Sequence, residues 1–329
     1  MTAPPVAGHS ETAGRRFIIA ALRIGVAASV LVYLFRRVRL EQVLDILRNG
    51  RSSWLAAAFV ATLLLQWLAA ARLRVLARRQ DLPLSTFVAF EINLASRFYG
   101  LFLPGGNIAG IAVRVLRLGK TAGNYTGAGM AIVADRLAAT STLCLLGLIF
   151  WLFGRPDHGY IWIGMLGLTL VGLSVPTMLV FGRGPAPLLE RLARSRLGNW
   201  YAALARSRGL SADDLEWIFF ISIAAHLIDV GVFWMLARAL GLDMTIVSMG
   251  WVRSCILLST LLPVTVAGLG LREGASILLL GLYGVSEERA LAFGLLVFAI
   301  SSLGLGVVGG LFEGWRGLAQ IGLGRRDQV

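Results

Sequence analysis

The sequence predicts an all-α polytopic membrane protein with about six full spans and two re-entrant helical hairpins, up to eight hydrophobic segments, arranged as an inverted repeat. Three observations predict it. Of 329 residues, 57% are hydrophobic and only 15% are charged, against about 25% charged in a soluble domain. Long charge-poor runs recur along the chain. The formal net charge of +13 is almost entirely arginine, Lys120 being the only lysine, and many of these arginines sit in short stretches between the apolar runs, the pattern of cytoplasmic loops. This composition excludes a soluble globular enzyme and intrinsic disorder. The placement of the arginines also argues against a nucleic-acid partner.

The first element is a polar tail, residues 1–14. Residues 15–315 form one integral membrane domain, and 316–329 a cytoplasmic tail. Helical crossing of a bilayer core of about 30 Å takes roughly 20 apolar residues. Six runs satisfy this: 17–35, 53–71, 129–153, 160–181, 217–240 and 290–312. Between the first two, residues 36–51 carry Val38, Leu40, Val43, Leu44 and Leu47 at helical spacing, as in an amphipathic helix lying on the outer lipid surface. In the last run, Ser302, Gly306 and Gly310 form a small-residue stripe suited to close helix packing.

Two further stretches, 84–120 and 244–283, are apolar but broken by Pro, Gly and charge. The first passes through Pro104, Gly105, Gly106 and Asn107, the second through Pro263, Gly268 and Gly270. Broken backbone at membrane depth has to be buried in protein or line a cavity, so 84–112 and 244–283 read as re-entrant hairpins. Each carries a short signature, Ala109–Arg114 in one and Ala267–Arg272 in the other. The pseudo-repeats are then about 17–153 and 160–312.

Charge placement supports this topology. With the N-terminus inside and the first stretch re-entrant, Arg72, Arg74, Arg78, Arg79, Arg114, Arg117 and Lys120 fall inside. So do the six arginines of the loop 182–216 and Arg316, Arg325 and Arg326 near the C-terminus. Making the first stretch a full crossing puts the six-arginine loop outside, against the positive-inside rule. Inverted repeats with broken helices are a transporter architecture whose site lies between the repeats.

Ionisable groups inside spans are functional candidates by default. Glu91, Arg97, Arg114, Asp135, Arg136, His226, Asp229, Arg253, Arg272 and Glu273 qualify. Plainer roles fit several of them: an interfacial ion pair for Asp135–Arg136, a satisfied polar pair for His226 and Asp229, a hairpin cap for Arg272–Glu273, and the membrane surface for Glu91. In the functional reading, Arg97, Arg114, Arg253 and Arg272 place guanidinium groups around the two hairpins. Arginine forks suit phosphate oxygens, which suggests an anionic lipid headgroup, with Asp135, Asp229 and Glu273 pairing the arginines when the cleft is empty. Cys144 and Cys255 read as buried thiols. No metal site or cofactor is expected, and GxSxG, HExxH and Walker A motifs are missing.

Phe98–Asn107, then Ala134-Asp135-Arg136, then Ala267–Gly274 resemble the lysylphosphatidylglycerol synthase transmembrane-region family, also called flippase-like. The resemblance spans roughly residues 17–315. It implies an integral bacterial or archaeal membrane protein that moves or distributes lipids, and the arginine placement adds the expectation of an inner-membrane location with both termini cytoplasmic. The soluble aminoacyl-transferase domain of bifunctional members does not follow here, so lysyl transfer is not expected. The stretch Ile108–Ile111 also lacks the Asp that members often carry before the arginine matching Arg114.

The expected function is therefore translocation of an anionic or polyprenyl-linked lipid through an arginine-lined cleft, with membrane lipids as partners. Two other readings stand beside it. One is a non-catalytic accessory protein for a glycosyltransferase or lipid-synthesis partner. The other is a membrane-embedded lipid-modifying enzyme using His226.

Overall fold

The computed structural model describes residues 40–103, 106–154, 212–260 and 268–324. Every regular element among them is helical: α1 (Leu40–Arg48), α2 (Ser52–Arg78), α3 (Thr86–Phe102), α4 (Asn107–Ala122), α5 (Tyr125–Gly154), α6 (Ala212–Ala239), α7 (Ile246–Thr260), α8 (Leu271–Gly281), α9 (Glu287–Phe298) and α10 (Leu305–Gly324). A π-helical turn, Ala299–Gly304, joins α9 and α10 into one long rod. The stretch from 316 therefore begins as a continuation of the last helix.

Among the described residues, four helices are long and apolar enough to cross a membrane: α2, α5, α6 and the α9–α10 rod. They contain the expected spans 53–71, 129–153 and 290–312, and all of 217–240 but its last residue. The expected spans 17–35 and 160–181 and the tail 1–14 lie outside the described residues, as do Pro104, Gly105 and Pro263.

Each broken stretch is a helix–break–helix pair. The four helices have 17, 16, 15 and 11 residues. At about 1.5 Å per residue each is shorter than the roughly 30 Å bilayer core. In the first pair, Gly106 caps α4 at φ 56°, a conformation glycine adopts without a Cβ clash. The pair then closes almost backbone to backbone: a Cβ on Gly110 would lie 2.6 Å from the Ser96 carbonyl oxygen and 3.4 Å from Gly100 Cα.

The two halves use the same punctuation. The turn after α2 takes positive φ at Asp81 (56°) and the turn after α6 at Gly241 (69°), 160 residues on. In both, the following leucine reaches back five residues: Leu82 N–H donates to Ala77 O at 3.1 Å and Leu242 N–H to Ala237 O at 2.9 Å. This is a Schellman-type cap, and both leucines are buried. Ser85 Oγ then accepts from Val88 N–H, and Thr245 Oγ1 from Ser248 N–H, at the starts of α3 and α7. Packing recurs too. The α2–α6 contact is central, α3 packs on α4 and α10, and α7 packs on α8 and α5. The matching hexapeptides themselves occupy different local structures: Ala109–Arg114 lie within α4, whereas Gly268 and Gly270 form the turn before α8. The small-residue reading of the last span holds, because Gly306 and Gly310 lie against Leu101 and Phe98 of α3.

Two details differ from expectation. Helix α1 turns its apolar stripe onto α9, burying Val43 within the same cluster as Phe293 and Leu296, so protein, not lipid alone, receives it. Arg72, expected in a cytoplasmic loop, is buried inside α2 at 5% exposure.

Candidate functional site

Asp135 and Ala139 sit one turn apart on α5, and Ser222, His226 and Asp229 follow one another along a face of α6, the i, i+4, i+7 spacing that keeps side chains together. These two faces, with arginines from α2, α4 and α7, build one polar seam. Asp135 accepts from Arg72 Nε at 2.8 Å on Oδ1 and from Arg114 Nη2 at 3.0 Å on Oδ2. Arg72 also donates from Nη1 to Ser222 Oγ at 3.0 Å, and that hydroxyl donates on to Ile218 O. All four side chains are buried.

Further along, Arg253 Nε and Nη2 both donate to Asp229 Oδ2, at 2.8 and 2.6 Å. Arg253 Nη2 also lies 2.8 Å from His226 Nδ1, and His226 Nε2 lies 2.8 Å from Ala139 O. A guanidinium only donates and a carbonyl only accepts. His226 is therefore a neutral imidazole with its proton on Nε2, and both ring nitrogens are engaged. His226 and Asp229 do form a satisfied polar group, but through Arg253 and not with each other.

Arg272 and Glu273 open α8. Glu273 Oε2 accepts from Gly270 N–H at 2.6 Å, the glutamate half of a capping box, so the cap role is real. The Arg272 guanidinium lies 5.3 Å above the Phe298 ring, a cation–π contact.

Arg97 and Arg136 behave differently. Both are exposed, yet interior charges surround them: Arg97 interacts with Arg114, Asp229 and Arg272, and Arg136 with Arg114, Asp135, Arg97 and Arg72. Both therefore keep accessible surface beside the buried seam. Among the described residues, neither makes a hydrogen bond or an ion pair. The adjacent Asp135 and Arg136 thus do not pair at the interface, because Asp135 is already taken by Arg72 and Arg114.

Glu91 stands apart from this seam. It pairs with Arg316, while Arg117 grips Glu313 with both terminal nitrogens and Tyr99 O–H donates to Glu313 Oε2 at 3.1 Å. These contacts fasten α10 to the α3–α4 pair. Gly106 is buried and Asn107 exposed at the start of α4, and Gly268 and Gly270 hold φ 75° and 83° before α8. They shape backbone, and of these glycines Gly270 touches a charged side chain, donating its N–H to Glu273. Arg72, Ser222, Arg117 and Glu313 were missed by sequence reasoning. The only signal for Arg72 was its position at the very end of an apolar run.

Among the described residues, no three His, Cys, Asp or Glu side chains are grouped to hold a metal ion. Cys144 and Cys255 are free and buried. Residues 18–309 match the family model described as the lysylphosphatidylglycerol synthase TM region. The chain belongs to this family. Membership gives it a membrane location and a lipid-related function, in keeping with its apolar helices. No curated protein matches it.

Proposed function

We propose that the chain is a flippase-like translocator, not an enzyme, and that it moves an anionic or polyprenyl-linked lipid across a prokaryotic inner membrane with both termini cytoplasmic. The observation that carries this reading is the pair Arg97 and Arg136: two guanidinium groups with accessible surface and, among the described residues, no ion-paired carboxylate, inside a helical assembly. An ionisable group left unmatched in such a place is costly, and an anionic headgroup supplies the missing charge. The hairpins dip in and return on one side, as their short helices favour. The recurring caps and the exchange symmetry of the packing favour an inverted repeat with the cleft between its halves. His226, with both ring nitrogens occupied, has no lone pair to take a proton from a substrate, which disfavours lipid-modifying chemistry.

The test is dye-accessibility in liposomes holding the full chain and a fluorescent anionic or polyprenyl-phosphate lipid. Faster exchange than in protein-free vesicles, lost in Arg97→Gln/Arg136→Gln, is the expected outcome. No acceleration for any lipid of the panel overturns translocation. Co-purification of a lipid-synthesis or glycosyltransferase enzyme alongside that failure points to the accessory role instead.

A further inference from the structure

The cleft's charge balance says more about the headgroup than its sign. Among the described residues, five arginines (Arg72, Arg97, Arg114, Arg136 and Arg253) stand with two carboxylates (Asp135 and Asp229), which leaves three positive charges unmatched. His226 is neutral and changes nothing. The unmatched donors are also plural. Beyond the two free forks of Arg97 and Arg136, Arg114 Nε and Arg253 Nη1 have no hydrogen-bond partner although these residues are only 5% and 1% exposed. Buried polar atoms are normally satisfied, so orphaned donors on both limbs of the seam mark where acceptor oxygens belong.

A phosphodiester offers a single charge and two non-bridging oxygens. A phosphomonoester carries about −1.5 to −2 at neutral pH and three strong acceptor oxygens, and a diphosphate carries more. Lysylphosphatidylglycerol itself bears two amino groups on one phosphate and is net positive, the wrong sign for this cleft. Resting on the translocator reading, we propose that the cleft selects a headgroup with a phosphate monoester or diphosphate, carrying two or more negative charges, clasped between Arg97 on α3 and Arg136 on α5. Fork-on-phosphate contacts are directional and charge-assisted, so two arginines on different helices discriminate by oxygen count as well as by charge.

The full chain in phosphatidylcholine nanodiscs tests this, with phosphatidic acid and phosphatidylglycerol of identical acyl chains as probes and inorganic phosphate as the soluble comparison. Phosphatidic acid is expected to bind at least about tenfold tighter than phosphatidylglycerol, and Arg97→Gln/Arg136→Gln to remove that preference. Among the described residues neither arginine holds an ion pair, so the melting temperature should not fall. Arg136→Lys, which keeps the charge and loses the fork, should reduce the preference without abolishing it. Equal binding of the two lipids, or a preference that survives the double variant, overturns the proposal. Inorganic phosphate binding as tightly as phosphatidic acid overturns the lipid as the source of the group. Lipid movement in liposomes with no charge preference defeats this inference alone. Selective binding without movement defeats only the translocator reading.

Discussion

Arg72 on α2 and Asp135 on α5 meet at 2.8 Å with both side chains buried, and the second oxygen of Asp135 is held by Arg114 of α4. One carboxylate thus neutralises arginines from two helices and pins three helices together. Asp135→Asn removes that charge and leaves both guanidinium groups facing each other. Breaking a buried pair by removing one partner costs about 3–5 kcal/mol, and here two pairs share the partner. Thermal unfolding in detergent should show a loss of at least that size, with Arg72→Ala nearly as severe. A change under about 1 kcal/mol, the range of surface pairs, would mean the pair is hydrated and not structural.

His226 offers a sharper contrast between two chemistries. As a bridge between Arg253 and Ala139 O it needs one acceptor and one donor, which a glutamine amide also has. His226→Gln should therefore retain lipid movement within about threefold, whereas loss of a general base typically costs 10²–10⁴-fold, on the order of the contribution such groups make. Initial rates in the liposome assay test the first, and turnover of lipid by the purified chain that falls a hundredfold in His226→Gln with intact folding would restore the enzyme reading.

Glu313 collects two nitrogens of Arg117 and the hydroxyl of Tyr99, and so fastens α10 to the first hairpin. Side-chain exposures of 27% for Arg117 and 18% for Glu313 leave this contact only partly screened. Hydrogen bonds to charged groups contribute about 1.5–3 kcal/mol. Glu313→Gln should then raise hydrogen exchange in the C-terminal half of α10 by about tenfold or more while α6 stays protected. Uniform protection in both helices would show that apolar packing alone holds α10 in place.

The hydrophobic runs made the long helices legible, because run length and the absence of charge are properties of the sequence itself. The breaks were equally legible: Gly106, Gly268 and Gly270 stand where the backbone takes positive φ. Partners were not legible. Arg72 looked like the first of a cluster of loop arginines, set apart from Arg74 and Arg78 only by standing at the very end of an apolar run. Its burial depends on Asp135 and Ser222, 63 and 150 residues away. The same long-range dependence hid Glu313, whose partners lie on the hairpin some two hundred residues earlier. Asp135 and Arg136 misled by adjacency: neighbours in a helix point about 100° apart, so Asp135 enters the seam while Arg136 keeps accessible surface. The hexapeptide match misled in a similar way, since Ala109–Arg114 lie within α4 while Gly268–Gly270 form a turn and Leu271 and Arg272 open α8, whereas the caps at Asp81 and Gly241 carry the correspondence at an offset that the residue types do not advertise.

The close approach of α10 to α3 gives a test with its own control. A Cβ added at Gly309 would lie 2.2 Å from the Leu94 carbonyl oxygen, backbone that cannot step aside, whereas one added at Gly314 meets nothing within 4 Å. Both glycines sit in the same helix, so the gain in helix propensity from Gly to Ala, about 1 kcal/mol, is common to them. Gly314→Ala should raise the melting temperature slightly. Gly309→Ala should lower it, because overpacking a filled interface costs about 1–3 kcal/mol and the displaced helix would also pull Glu313 away from Arg117. Opposite signs for two identical substitutions five residues apart would place the α3–α10 contact in the folded protein. The same sign at both positions would mean that α10 does not dock on α3 at this distance, and the fastening of the first hairpin through Glu313 would fall with it.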